Sequence, residues 1–225
     1  MTTLTNISKL HGRPKLEYIQ SQIKIHTKIE EYTINGIKYH NLIGMIEGKD
    51  NKTDLITAHH DVVNKKSDNI LDNNASNLNL INIANNLKPK NNTIVAFTDA
   101  EETCSWNLNG VRQIFKDHAI NQHLDLELTA SGKNLVIDTY GDFDMLHVEK
   151  QFSMPYNNAK AGFAADFHPR GSACLTMVDD DDLKYLKNNS YCERWAQCHR
   201  LTDTLDWFCE KDTGWFVDTI IEFLK

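Results

Sequence analysis

Proline and glycine are scarce in this chain, with 4 and 10 residues respectively among 225. With so little punctuation and no Pro/Ser-rich stretch, nothing marks a linker, and one domain over residues 1–225 is expected. Cysteine is also sparse. Its five copies (Cys104, Cys174, Cys192, Cys198, Cys209) are odd in number and include no C-x-x-C pair. That argues against a zinc knuckle or a disulfide framework and for a reducing cytoplasm, with a Cys192–Cys198 bridge left open as an alternative. No apolar run approaches the roughly 20 residues that span a bilayer, and MTTLTNISKLHGRPKLEY lacks the apolar core of a signal peptide. A cytoplasmic protein with no membrane partner is the expectation. Surplus positive charge is missing too: 24 Lys+Arg stand against 31 Asp+Glu, a net charge of −7. A general nucleic-acid binder would carry a basic face, so a nucleic-acid partner is not expected.

What the chain does have is an alternation of strand-like and helix-like pieces. Lys15 to Ile25 carries Leu16, Ile19 and Ile23 at helical spacing. Two extended pieces, Lys28–Ile34 and Lys38–Glu47, flank Asn35-Gly36, the dipeptide best suited to a tight hairpin turn. Asp54–Ala58 and Thr93–Thr98 read as buried strands, Ala75–Leu87 and Gly110–His118 as helices. Asn134–Ile137, Met145–Val148 and Ala173–Val178 read as further strands, and Trp215–Leu224 as a closing amphipathic helix. The pattern predicts an α/β fold whose central strands are parallel and covered by helices on both faces. Asparagine is frequent between Asn64 and Asn92, which reads as compositional bias and not a prion-like tract, because apolar residues still recur there.

Open α/β sheets bind ligands beyond the carboxyl ends of their strands. Asp54–Ala58 runs into His59-His60-Asp61, Thr93–Thr98 into Asp99-Ala100-Glu101-Glu102, and Asn134–Ile137 into Asp138, while Asp72 lies between the first strand and its helix. Imidazole and carboxylate donors without thiolate favour zinc, with manganese or cobalt as substitutes. A two-metal centre needs a bridging carboxylate, further ligands on each ion, and a base. The inventory suffices for one.

The motifs LEYIQSQIK, EEYTINGIKYHNLIGMIEG, TAHHDV, LDNNASNLNLINIA, TIVAFTDAEE, NLVIDTYG, AADFHPRGSACLTM and CHRLTDTLDWF, in this order, resemble the co-catalytic di-zinc aminopeptidases of the zinc exopeptidase superfamily. The resemblance covers most of the chain. It implies a single catalytic domain with a zinc-exopeptidase-like mixed sheet. The implied activity is hydrolysis of N-terminal peptide bonds of peptide or aminoacyl substrates, by a metal-bound water with a glutamate base. It further implies two Zn2+ ions bridged by Asp72, with His59 and Asp138 on one and Glu102 and His199 on the other. Glu101 is then the general base, and Asp61 the neighbour that fixes His59. The resemblance extends to superfamily relatives that are carboxypeptidases, deacylases or single-zinc glutaminyl cyclases. The chain departs from the pattern at Asn74-Ala75-Ser76-Asn77, where the small residues are displaced, at Ala165-Asp166-Phe167 in place of Ser-Asp-His, and at Arg200 in place of Thr. These changes bear on substrate range more than on the ligands.

His60 points to the opposite face from His59 on a strand, and the His-x-Asp spacing favours His59. Paired acids such as Glu101-Glu102 are commonly a solvated strand end, but here they follow a buried strand. Asp99 reads as solvated or structural, and Asp179–Asp182 as an acidic helix start. His118, His123, His147 and His168 show no ligand spacing, and Cys104 has no histidine partner. Two readings stand outside the peptidases: an HD-type phosphohydrolase, which needs His60-Asp61 within a helix, and a non-catalytic binding relative.

Overall fold

The computed structural model describes residues 2–103, 108–140, 156–157, 168–186, 192 and 194–225. Two short N-terminal helices, α1 (Thr2–Ser8) and α2 (Gly12–Gln22), lead into a hairpin of β1 (Thr27–Ile34) and β2 (Ile37–Ile46). Asn35 and Gly36 both take positive φ, 51° and 81°. That is the backbone a tight two-residue hairpin requires, and asparagine-glycine supplies it with little strain.

Next come β3 (Asp50–His59), an irregular π-type turn over Ile70–Asn74, α3 (Ala75–Asn86), β4 (Asn91–Thr98) and α4 (Gly110–Asp117). β5 (Gln122–Leu126), β6 (Asn134–Tyr140), β7 (Tyr156–Asn157), β8 (Ser172–Val178), α5 (Asp180–Leu186), two 3-10 turns (Trp195–Gln197 and Leu205–Trp207) and α6 (Glu210–Leu224) follow. The strands form one sheet in the order β1-β2-β4-β3-β5-β8-β6-β7. β4, β3, β5 and β8 are mutually parallel, whereas β2 runs antiparallel to β4 and β6 antiparallel to β8. The fold is thus the expected mixed α/β sheet with a parallel centre.

One face of that centre (Ile56, Ala58, Val95, Phe97, Leu124, Leu126, Leu175) packs against Leu16 and Ile19 of α2, Leu80 and Ile83 of α3, and Phe216 and Ile220 of α6. On the other face, Val111 and Ile114 of α4 cover Ile43, Leu55, Ile94 and Ala96. Gly110 starts α4 because a Cβ there would meet Asn41 Oδ1 at 2.3 Å. The close approach lets the Gly110 amide donate to the Asp99 carbonyl at 2.9 Å.

The strand expected at Met145–Val148 falls outside the described residues. QHLDL carries too little apolar character to read as a strand from sequence, yet it forms β5. Its polar side chains are buried in a network instead: His123 hydrogen-bonds Ser172 and Thr57, Thr57 bonds Asp125, and His168 bonds Asp125. His60-Asp61 lies beyond the end of β3 and not within a helix, so the condition for the HD-type alternative is not met. Cys174, Cys192, Cys198 and Cys209 are free thiols. Among the described residues no helix is long and apolar enough to cross a membrane.

Candidate metal centre

β3, β4 and β5 end side by side, and each delivers a polar residue at its carboxyl end. His59 closes β3. Its Nε2 lies 2.9 Å from Asp72 Oδ1 and 3.3 Å from Glu127 Oε1. Its Nδ1 faces Asp61, 3.2 Å from the carbonyl oxygen and 3.3 Å from Oδ1. A ring held at one nitrogen by a carboxylate neighbour presents the other nitrogen in one tautomer, which is how ligating histidines are oriented. Asp61 Oδ2 accepts from the Glu102 amide at 2.9 Å, so the same side chain ties the ends of β3 and β4 together.

Asp72 sits in the irregular turn before α3, at φ −130° and ψ 87°, with a cis peptide to Asn73. The amides of Leu71 and Asp72 both donate to the Asp203 carboxylate, at 2.7 and 3.3 Å. His199 reaches the cluster from an irregular segment near the C-terminus, with φ 64°. Its Nε2 lies 2.9 Å from Asp72 Oδ2 and 2.9 Å from Glu102 Oε1. The two oxygens of Asp72 therefore face one histidine each.

Three donor groups follow, each with its ligand atoms within 4.8 Å of one another: His59, Asp72 and Glu127; Asp72, Glu102 and His199; and His59, Glu101 and Glu102. The first two share Asp72. His59, Asp72, Glu102 and Glu127 are nearly enclosed, whereas the His199 side chain is 46% exposed. The cluster opens to solvent on the His199 side.

Packing so many acids together perturbs each of them. Burial raises the Glu101 carboxyl well above its ordinary range; His59 opposes, and Glu127, Asp72 and Glu102 add to the rise. Burial likewise lifts Glu127 to about 8 against the pull of His59, with Asp125 and Asp72 adding. For His59, burial acts downward, but the carboxylates of Glu127 and Glu101 and hydrogen bonds to Asp61 and Asp72 hold the imidazole well above its usual value. Hydrogen bonds to Asp72 and Glu102 raise His199 to about 10. Such mutual perturbation in a cleft marks a site built for cations or proton transfer.

The structure thus brings together His59, Asp61, Asp72, Glu101, Glu102 and His199, but not Asp138. Asp138, expected as a ligand, lies in none of the donor groups among the described residues. That expectation assumed that β6 ends at the same edge as β3 and β4, but β6 runs antiparallel to β8, and Asp138 pairs with Cys174 in mid-sheet. Asp138 instead borders a small cavity with Glu127, Cys174, Thr176 and Trp195. The carboxylate at the cluster is Glu127, directly after β5. Its signal was the alternation His123, Asp125, Glu127, which puts all three on one face of an extended segment.

His60 does turn away, with Nε2 donating to the His40 carbonyl at 2.9 Å. Asp99 is structural: its Oδ2 accepts from the His40 amide and its Oδ1 from the Ala100 amide. Cys104 and His147 fall outside the described residues.

A sequence model of peptidase family M28 matches residues 41–195. No curated protein matches the chain by sequence. Among solved structures, the Legionella pneumophila aminopeptidase LapA is similar at 13% identity and TM-score 0.73, over 99% of this chain and 69% of LapA. BSAP, a zinc aminopeptidase from Bacillus subtilis, is similar at 16% identity and TM-score 0.62, over 85% of this chain and 50% of BSAP. A glutaminyl cyclase from Porphyromonas gingivalis is similar at 13% identity and TM-score 0.67, over 99% of this chain and 95% of the cyclase.

Proposed function

The chain belongs to peptidase family M28, and from that premise we propose that it is a single-domain zinc aminopeptidase acting on peptides or aminoacyl compounds. The observation that carries the reading is the carboxylate of Asp72, placed between His59 and His199 with one oxygen toward each. It makes two overlapping donor groups of nitrogen and oxygen atoms without thiolate, which is the chemistry of zinc. His59 and Glu127 would hold one ion, Glu102 and His199 the other, and Asp72 both. Zinc in such a pair acts as a Lewis acid on the scissile carbonyl and lowers the pKa of the attacking water.

The remaining work falls to the chain itself. Glu101 sits at the cluster without a place in either of those two donor groups, and its buried carboxyl has a raised proton affinity. It takes the proton from the attacking water and passes it to the leaving amine, so that water adds across the peptide bond and an amino acid departs. Asp61 holds the His59 ring through Nδ1 and the Glu102 backbone through its amide. The exposed flank at His199 leaves a route by which an N-terminus enters.

The test is Glu101→Gln, assayed on leucyl p-nitroanilide with elemental analysis of the purified protein. Turnover should fall about 10³-fold while zinc content holds, within the usual span for general acid–base groups. A variant that stays active removes Glu101 as the base.

A second reading has one observation in its favour: the similarity to the Porphyromonas gingivalis glutaminyl cyclase spans 95% of that chain, against 69% of LapA and 50% of BSAP. Incubation with a glutaminyl peptide separates the two. Released glutamine marks the aminopeptidase, and released ammonia with a cyclised N-terminus marks the cyclase.

A further inference from the structure

The last peptide units of β3 are held by two side chains that belong to no donor group. The ladder between β3 and β5 runs only to Thr57–Asp125. Two residues beyond, the His59 carbonyl accepts from Asn77 Nδ2 at 2.9 Å, and the His60 carbonyl accepts from Lys15 Nζ at 2.7 Å. Asn77 lies in the first turn of α3 and Lys15 in α2, and both are fully buried. Successive carbonyls of an extended chain point to opposite sides. The His60 amide donates to the Thr98 carbonyl at 2.8 Å, so Asn77 completes the hold on the His59–His60 peptide and Lys15 holds the next one, and together they fix the backbone on which the His59 Cα–Cβ bond is set.

A fully buried lysine is rare and costly to maintain. Its neighbours Leu16 and Ile19 show that apolar side chains meet the packing needs of α2. Burial pushes the Lys15 amine down to about 7, against the pull of Asp61, Asp72 and Asp99. Charged or neutral, an amine still donates to a carbonyl. The clamp is the same in both states.

We infer that Lys15 and Asn77 are positioning residues for the metal centre, setting the aim of His59 through the carbonyls of His59 and His60. The inference rests on the zinc reading above. Neither residue is among the ligands or the base. Lys15 also precedes the span that the family model matches, so this support comes from a part of the chain that the model does not include.

The test uses Lys15→Met and Asn77→Leu, which keep most of the volume and remove the donor. Three quantities are read on each: zinc affinity by competition with a chromogenic chelator, the visible bands of the cobalt(II)-substituted protein, and melting of the metal-free form. Each variant should bind zinc about 10-fold more weakly, in line with losses of groups that orient ligands. Its cobalt bands should shift, and kcat should fall with KM held. Variants that lose only melting temperature, with zinc affinity and cobalt bands as in the parent protein, make these residues packing groups and overturn the inference. Should Lys15→Met fail to fold, Asn77→Leu decides by the same readings. A parent protein that takes up neither zinc nor cobalt overturns the metal reading, a failure distinct from that of the clamp.

Discussion

The two faces of the central sheet are made by the same strands, yet they differ in kind. On β3, Ile56 and Ala58 point one way and Thr57 and His59 the other; β5 alternates Leu124 and Leu126 with His123 and Asp125; β8 alternates Ala173, Leu175 and Met177 with Ser172, Cys174 and Thr176. In an ordinary antiparallel sheet such alternation separates core from solvent. Here every one of these residues is buried. The first face is glued to α2, α3 and α6, while the second is apolar only under α4 and polar along the stretch that ends at the candidate metal centre. Burying a polar face is tolerable only when its groups are paired. The pairing is a relay that ends on a carboxylate: Ser172 to His123, His123 to Thr57, Thr57 to Asp125, with His168 closing on the other carboxylate oxygen.

The comparison can be broken most sharply at its functional end. Glu127→Ala should remove a carboxylate from the proposed metal centre and cut turnover of leucyl p-nitroanilide by about 10³-fold, whereas Asp138→Asn should leave zinc content unchanged. Parallel metal analysis and kinetics of the two variants check this, and a loss of zinc in Asp138→Asn would restore Asp138 as the ligand. On the apolar face, Leu126→Ala should cost about 3 kcal/mol of stability, the usual range for a buried leucine, with zinc stoichiometry intact in the folded fraction. Urea denaturation gives that number.

Between these lies a pH effect peculiar to the polar face. Burial, with His168 adding and Asp125 opposing, pushes His123 down to about 3, whereas the unfolded chain titrates near 6.5. The unfolded state therefore takes up a proton that the folded state refuses. Stability from this group is complete above about pH 6.5 and is lost progressively as pH falls toward 3. Between pH 7.5 and 5 the loss should be about 2 kcal/mol. The difference between the metal-free parent and His123→Gln, followed by urea denaturation across that range, should show this slope. The smallest effect expected is for Ser172→Ala, which removes one neutral hydrogen bond to His123 at about 1 kcal/mol.

Much of this was legible in the residues. Apolar runs marked β3 and β4, and the acids and histidines at their ends marked the site, because ligand-bearing residues follow directly on buried strands. Asn35-Gly36 announced its hairpin through backbone preference alone. What misled was direction. The sense in which β6 runs shows in its antiparallel pairing with β8, which no local pattern carries, so strand ends alone put Asp138 at the wrong edge. β5 was hidden because His123 and Asp125 resemble loop residues until their partners on β3 and β8 are known. His199, in an irregular segment, could be found only through motif order. The asparagines read as compositional bias include Asn73 and Asn77, whose amides hold the carbonyls of Leu126 and His59 at 2.8 and 2.9 Å.

The position of α2 matters for anyone redesigning this enzyme. A minimal version trimmed to residues 41–195, the part a family model matches, would discard the helix that carries Lys15. It would also discard His199. Transplanting the centre into another scaffold, or shuffling it with a relative, therefore calls for crossover points outside residues 12 to 204. The segments at both ends of the chain travel with the chemistry and cannot be exchanged as interchangeable packaging.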